Sequence, residues 1–514
     1  LLKGYRNHDR IVSGFIYGFD LDFKGPELPL LSRNNSSANQ APHDVDLKIA
    51  EELNLKRIAG PFPAPPYPNF KSSPLAIRKK ANGKVRLLHN LSYPYDESSV
   101  NFNISTEDST ISYSTFYDSV KLVRRMSTDP FLAKTDIAEA FRLIPLHPSQ
   151  FHLTGFTWRN EFYFDMCLPM GCSSSCRIFE SFSDALVWIL ETRFQVENVV
   201  KVLDDFLFVE DSFEKCQASL DAFHLMCSFI GVPIAHHKTV GPTKCLTFLG
   251  IELDAQNMIA RLPMEKISDY HASISQLIGT DTCTLRDMKS TIGKLSFATS
   301  VIPSGRCFLR RLHDSTIGLK KPHHLIKLDE NIKRDFQMWA EFLENFNGIS
   351  TIERLVSSPN QLYLATDASL SGYGAVINHN WFQGTFPDSW KVLKNISLLE
   401  LYPIFMLIKI YEKFFRNKSI IIHCDNEAVT RIINKQTSKC PRIMKVLRPL
   451  VLSLLTNNIL LKAVHIPGES NTICDILSRQ KATPHLLSSL GISPLPIPVP
   501  TALRPQNFYF KATA

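Results

Sequence analysis

Apolar positions along the chain gather into short runs, and several of these runs end on a carboxylate. Phe131-Leu-Ala-Lys-Thr-Asp136 is of strand length and delivers an aspartate at its end. Asn198-Val-Val-Lys-Val-Leu203 and Phe206-Leu-Phe-Val209 read as two strands around Asp204-Asp205, and an Asp pair in a tight turn projects both side chains from one edge. The same arrangement recurs in Gln361-Leu-Tyr-Leu-Ala-Thr-Asp367 and Ser419-Ile-Ile-Ile-His-Cys-Asp425. Between these two, Ser397-Leu-Leu-Glu-Leu-Tyr402 reads as an apolar helix carrying Glu400, and Val464-His-Ile-Pro-Gly468 leads on to Asp475. A glutamate on the apolar side of a helix is expensive unless it is paired or metal-bound.

At coarser grain, strand-like and helix-like segments alternate from about 70 to 255, the next stretch to about 350 is mainly helical, and a second α/β block runs to about 482. The expected division is a flanking region at 1–60, a first α/β domain at 61–255, a helical domain at 256–355, a second α/β domain at 356–482 and a proline-rich tail at 483–514. Ser32 to His43 reads as a flexible link, Gly60 to Pro68 as extended backbone, and Pro494 to Pro500 as an extended linker.

Composition adds constraints. A chain of 514 residues exceeds what one core usually organises, and 44% hydrophobic with 21% charged residues excludes collagen-like, coiled-coil and wholly disordered classes. The formal charge of +8 permits a polyanionic partner, although spread over this length the total argues little. Location matters more: Arg78, Lys79, Lys80, Lys84 and Arg86 crowd a hairpin signature around Asn82-Gly83, a density suited to phosphates. Lys289, Lys294, Arg306, Arg310 and Arg311 recur at near-helical spacing, which by itself reads as a solvated basic face. Eleven scattered cysteines suit a reducing, intracellular compartment, cytoplasm or nucleus. Cys167, Cys172 and Cys176 lack the paired spacing of structural zinc. The apolar stretch Leu398 to Tyr411 is too short and too polar to span a bilayer, so no membrane partner is expected. The start at Leu1 suggests a segment of a longer translation product.

Clustered carboxylates repel one another, and hard oxygen donors suit Mg²⁺. Leu168-Pro-Met-Gly-Cys-Ser-Ser-Ser175 supplies a small-residue turn into a helix, placing Met170 and Gly171 where backbone can approach a ligand. With Gly231-Val-Pro-Ile-Ala-His-His-Lys238 and Phe248-Leu-Gly-Ile-Glu-Leu253 following in order, residues 70 to 255 resemble a reverse transcriptase. The resemblance implies a right-hand polymerase of fingers, palm and thumb, with Asp136, Asp204 and Asp205 holding two Mg²⁺ ions, Mn²⁺ being a substitute. It implies that Lys79 and Arg86 contact the incoming triphosphate, that Phe141 screens the sugar 2′ position, and that Lys238 donates a proton to pyrophosphate. Val202 departs from the tyrosine that such enzymes usually carry before x-Asp-Asp, which puts efficiency in question without touching the metal ligands, and Met170 replaces a frequent glutamine. Phe141 as a core aromatic and Lys238 as a solvated loop lysine are the plainer readings.

Residues 358 to 482 resemble a ribonuclease H domain of the retroelement kind, through Thr-Asp-Ala-Ser, the helix glutamate, Cys-Asp-Asn and the His465 to Arg479 stretch. This implies a mixed α/β domain in which Asp367, Glu400, Asp425 and Asp475 hold two Mg²⁺ ions, with His465 assisting product departure or simply packing at a strand end. The expected partners are an RNA template, a DNA primer, their hybrid, dNTPs and other proteins of the same element. Leu88-His-Asn-Leu-Ser-Tyr-Pro-Tyr95, Leu-Pro-Met-Gly-Cys-Ser and Phe-Leu-Gly-Ile-Glu-Leu-Asp254 look most like the DIRS group of tyrosine-recombinase retrotransposons, with a Ty3-like element as the alternative. An inactive scaffold or domesticated relic is the reading from another class. Decayed scaffolds lose metal ligands, whereas every carboxylate position here is filled.

Overall fold

The structure is a computed structural model that describes residues 1–79, 85–105, 111, 113–126, 129–350, 362–393 and 395–508. The chain divides into two compact units, Leu1–Leu249 with Leu253–Met258, and Gly250–Glu252 with Ile259–Ala514.

In the first unit, the stretch expected to flank the domain belongs to it. Helix α1 (His8–Tyr17) buries Ile11 in the same core as Phe19 and Leu21. Ser32 to His43, expected to be a flexible link, is ordered. Ala38 is fully buried, and Asn34 bridges two segments by accepting from the Leu75 N–H at 2.8 Å and donating to the Thr157 carbonyl at 2.7 Å. Polar composition misled here because polar groups do the anchoring: the Ile77 N–H also donates to Ser37 Oγ at 3.2 Å and the Asn35 N–H to the Leu75 carbonyl at 3.0 Å. Helix α2 (Pro42–Asn54) follows, with proline in its first turn where the missing N–H costs nothing.

Strand β1 (Ile58–Phe62) precedes a hairpin of β2 (Leu75–Lys79) and β3 (Val85–His89), in which Arg78 pairs with Arg86. The Asn82-Gly83 turn, Lys80, Lys84 and the side chain of Lys79 lie outside the described residues. Strand β4 (Phe131–Asp136) is followed by β5 (Gly155–Trp158) and β6 (Glu161–Asp165), which pair with each other, β6 also pairing with β1. Helix α3 (Ser175–Ile189), strands β7 (Val199–Val202) and β8 (Asp205–Glu210), helix α4 (Phe213–Ile230) and strand β9 (Val240–Thr243) complete the elements that carry chemistry. The antiparallel sheet order β9-β4-β8-β7 puts β4 and β8 side by side at its centre. Phe206 and Phe208 pack against Phe223 of α4, at ring distances of 4.5 and 5.8 Å, and the core continues into Ile178, Phe179 and Leu186 of α3. Two helices on one face of a sheet leave its strand ends free to carry charge.

The second unit starts with helices that include α5 (Leu285–Ala298) and α6 (Glu330–Asn345). The basic residues expected to share one face are largely engaged. Lys294 pairs with Asp269 at 2.8 Å and Arg310 with Asp314, while Arg311 reaches the buried Asp335 at 3.1 Å. A second arginine, Arg448, holds the other Asp335 oxygen at 2.9 Å. Buried carboxylates need such partners, so this triad welds α6 to the block that follows.

That block is a five-stranded sheet of β10 (Leu364–Ala368), β11 (Tyr373–Ile377), β12 (Asn380–Gly384), β13 (Ser419–Cys424) and β14 (Leu460–His465) in the order β12-β11-β10-β13-β14. The first three strands are antiparallel, whereas β13 runs parallel to β10 and β14 parallel to β13. Parallel neighbours require crossovers. Helices α7 (Ile396–Ile410) and α8 (Pro441–Thr456) supply them, and α9 (Thr472–Ser478) follows β14. Every residue of α7 from Leu398 to Ile408 is buried, which explains its all-round apolar sequence and why Glu400 has no open water around it.

The tail does not run free. Ser493 and Ile497 donate their N–H groups to the carbonyls of His379 and Trp381, each at 2.7 Å, and the Trp381 indole donates to the Ser493 carbonyl at 2.7 Å. Among the described residues no helix is long and apolar enough to cross a membrane.

Candidate active sites

In the first unit, the β4–β8 register pairs Asp136 with Asp205 directly, and Asp204 occupies the turn before β8. The Ile137 N–H donates to the Asp204 carbonyl at 3.0 Å, tying that turn to the residue after Asp136. Three carboxylates therefore converge on one sheet edge. Lys238 donates to both oxygens of Asp136, each at 2.8 Å, so the plain reading of a solvated loop lysine does not describe it. Burial raises the Asp204 carboxyl above its ordinary value and repulsion from Asp136 adds to this, with Lys238 and Arg86 opposing. Asp205 is pushed up to about 6, first by burial and then by its two neighbours. Mutual repulsion of this kind is what a multivalent cation relieves, and the oxygen-only donor set fits Mg²⁺.

A cavity of about 620 Å³ opens beside these groups, lined by Arg86, Phe141, Met170, Asp136, Asp204 and Lys238. Phe141 is half-buried on a short helical turn and leans on Phe179 at 5.6 Å, so it is both a packed aromatic and a wall of the cavity. Met170 is 46% exposed. Gly171 has a different reason to be glycine than closeness to a ligand: a Cβ there would lie 1.7 Å from the His89 carbonyl oxygen. The cavity also reaches a charged set that sequence reasoning missed. Arg142 pairs with Asp165 at 2.7 Å and with Glu52 at 2.8 Å, and His89 lies 3.2 Å from Asp165. Arginine directly after Phe141 was the available signal.

In the second unit, Asp367 ends near the tip of β10, Asp425 follows β13, Glu400 projects from α7 and Asp475 from α9. Ligand atoms of Glu400, Cys424 and Asp425 lie within 4.8 Å of one another. Asp367 feels both Asp425 and Asp475 electrostatically, and burial is the largest cause of its raised value. Glu400 is pushed up to about 7, by burial first and by Asp425 and Asp367 after the opposing hydrogen bond from Asn426. Among the described residues the buried Asp425 Oδ1 atom has no hydrogen-bond partner, an orphaned anionic acceptor that a cation satisfies. Neutral donors fix the rest: Asn426 donates to Glu400 at 3.0 Å, Cys424 Sγ lies 3.5 Å from Glu400, and Ser478 donates to Asp367 at 2.6 Å. Asp475 pairs with Arg479 at 2.6 Å. His465 is exposed, its Nε2 lying 3.2 Å from the Asp425 carbonyl.

Antiparallel strands that carry three converging aspartates thus stand beside a basic hairpin and an aromatic-walled cavity. Residues 77–253 match the family described as reverse transcriptase (RNA-dependent DNA polymerase), and the chain carries that domain. Among relatives, the Gag-Pro-Pol polyprotein of Human T-cell leukemia virus 3 is 23% identical over 277 residues, 51% of this chain and 17% of that protein. The genome polyprotein of Petunia vein clearing virus is 20% identical over 370 residues, 70% of this chain and 16% of that protein. The chain thus spans about a sixth of the length of the relatives it matches. Of solved structures, the foamy viral protease-reverse transcriptase with an RNA/DNA hybrid has a TM-score of 0.54 at 14% identity, covering 86% of this chain and 56% of that one. The complex with dsDNA has a TM-score of 0.50 at 15% identity and covers 86% of each chain. At such identity the likeness concerns the fold.

Proposed function

We propose that this chain is the reverse transcriptase and ribonuclease H segment of a retrotransposon polyprotein. The first unit extends a DNA primer on an RNA template with dNTPs, and the sheet at 362–482 cuts the RNA strand of the resulting hybrid. The observation that carries the reading is the paired register of Asp136 and Asp205 with Asp204 in the adjoining turn, Asp136 and Asp204 lining the cavity that Arg86 and Phe141 also wall. For the second activity the support is the sheet order β12-β11-β10-β13-β14 with four carboxylates at one end of its central strands and their helices.

Bound at Asp136, Asp204 and Asp205, or at Asp367, Glu400, Asp425 and Asp475, Mg²⁺ (or Mn²⁺) supplies Lewis-acid stabilisation of phosphoryl oxygens and of the attacking oxygen. In polymerisation the primer 3′-oxygen bonds to the α-phosphorus as the bond to pyrophosphate breaks. Arg86 offers its guanidinium to the triphosphate, Phe141 stands against a 2′-hydroxyl, and the Lys238 ammonium is placed to give a proton to pyrophosphate. Lys79 shares the strand that pairs with Arg86's strand and serves the same phosphates. In RNA cleavage a water oxygen bonds to phosphorus and the 3′-oxygen leaves. Asn426 and Ser478 hold Glu400 and Asp367 in place, and exposed His465 is free to assist departure. The motifs from Leu88 to Asp254 favour an element of the DIRS group, working in cytoplasm or nucleus alongside other proteins of that element.

Extending a labelled DNA primer on an RNA template tests the first activity: wild type extends it and Asp204→Asn does not. A hybrid with labelled RNA is cut by wild type and spared by Asp425→Asn. Equal extension by wild type and Asp204→Asn overturns the polymerase reading, and equal cutting overturns the nuclease reading.

A further inference from the structure

We infer that helix α3 clamps the catalytic hairpin, with Glu180 and Ser183 as positioning residues that hold the Leu203 peptide and thereby set Asp204 and Asp205 for nucleotidyl transfer. The inference rests on the polymerase reading above and adds residues that no motif contains.

The register of Val202 with Asp205 leaves Leu203 and Asp204 as a two-residue turn. Turns of this length need a positive φ at their first position and favour Gly, Asn or Asp there. Leu203 instead occupies it at φ 54, a strained setting for a branched side chain. Such a conformation persists only where the surroundings over-determine it. Three contacts do so. The Leu203 N–H donates to Glu180 Oε2 at 3.1 Å, the Ser183 hydroxyl donates to the Leu203 carbonyl at 2.6 Å, and the leucine side chain packs on the core of the unit. Both backbone polar groups of one residue are therefore held by side chains one helical turn apart.

Glu180 is itself fixed. Lys201 Nζ lies 2.6 Å from Glu180 Oε1 and 2.7 Å from Asp184, and both Lys201 and Glu180 are buried. One glutamate oxygen serves the lysine and the other serves the turn. A carboxylate kept only to neutralise Lys201 has no reason to aim its second oxygen at a strained peptide. Helix α3 also begins at the Leu168–Ser175 turn that sets Met170 in the cavity wall. One element thus adjoins a wall of the nucleotide cavity at its start and grips the Leu203 peptide about one and a half to two turns further on. Val202, with no polar group of its own, leaves this grip to the helix.

The test is steady-state primer extension by the full chain. Ser183→Ala is expected to lower kcat roughly ten- to a hundredfold, the scale of a small misplacement of reacting groups, with KM for dNTP unchanged. Glu180→Ala lowers it further. The double variant Glu180→Gln with Lys201→Met keeps an amide oxygen for the Leu203 N–H and leaves no unpaired buried charge, so its kcat returns toward wild type. A glutamate that merely neutralised Lys201 would let Glu180→Ala with Lys201→Met return just as far, whereas the clamp leaves that variant without an acceptor for the Leu203 N–H and its kcat low. A second readout needs no turnover: Mn²⁺ binding followed by electron paramagnetic resonance, in an Asp425→Asn background that weakens the other site. Ser183→Ala should weaken the remaining Mn²⁺ site by roughly tenfold. Wild-type kcat and wild-type Mn²⁺ affinity in both Ser183→Ala and Glu180→Ala would overturn the clamp. A wild-type chain that fails to extend primers counts against the polymerase reading, and the Mn²⁺ measurement still decides the clamp.

Discussion

The two carboxylate sites solve one electrostatic problem in different ways. The first is built on a single hairpin and its neighbouring strand, and it carries its own counter-cation, Lys238, in contact with both oxygens of Asp136. The second gathers its acids from two strands and two helices, steadies Glu400 and Asp367 with neutral donors, Asn426, Cys424 and Ser478, and sets its cation, Arg479, against the half-exposed Asp475. A built-in ammonium offsets repulsion at once, whereas an amide or hydroxyl orients a carboxylate without cancelling charge. The second site should therefore depend more steeply on added cation and on pH than the first.

The largest effect should come from separating the sites outright. Asp204→Asn and Asp425→Asn should move the ratio of primer extension to RNA cleavage in opposite directions, each on the order of 10³-fold. A ratio that stays constant in both variants would mean a shared centre and would break the comparison.

Next comes pH. The folded Glu400 carboxyl holds its proton up to about 7, above its ordinary 4.5. Its contribution to stability is therefore fully present below the unfolded value and is lost as pH rises through the folded one. In EDTA, urea unfolding from about pH 5 to about pH 8 should show stability falling by a few kcal/mol over that window, and Glu400→Gln should flatten the profile. Asp205, pushed up to about 6, contributes with the same sign over a lower window, opposed there by Lys238.

Removing the counter-cation probes the other side. Lys238→Met should lower the metal-free thermal stability of the first unit by about 1–2 kcal/mol, and Mg²⁺ should restore more of it than in wild type. Differential scanning calorimetry with and without Mg²⁺ reads this directly. Equal Mg²⁺ response in both proteins would show that the ammonium does not stand in for cation. The smallest effect is expected of Asn426→Ala, which removes one donor from Glu400 and the cap on the following helix, about 1 kcal/mol. It should appear as a few-fold rise in the Mg²⁺ needed for half-maximal RNA cleavage.

Much of this was legible in the sequence because the chemistry sits at strand ends. An apolar run closing on Asp136, another opening from Asp205, and a glutamate in the mainly apolar helix around Glu400 each announce their positions through a local pattern. Partners that meet only through packing left no such trace. Glu180 and Ser183 look like ordinary helix polars until the hairpin folds onto them, and Asp335 looks like a surface acid until Arg311 and Arg448 close around it. Ser32 to His43 failed in the opposite sense, since its polar composition hides a buried alanine and the hydrogen bonds of Asn34, Asn35 and Ser37 that order it. The basic helices were less legible for a third reason: charge counts at helical spacing do not reveal which charges, such as Lys294 and Arg310, pair with neighbouring acids.

The tail that lies along Asn380–Gly384 has a colloidal consequence. That strand is the last in its sheet, and its carbonyls at His379 and Trp381 are engaged by Ser493 and Ile497. A cut before Ser493, by a processing protease or in a truncated clone, would uncover an edge able to recruit the same edge of another molecule. The proline-rich segment then acts as a cover against sheet-to-sheet polymerisation. Light scattering of the trimmed chain should rise with protein concentration while the full chain stays monodisperse.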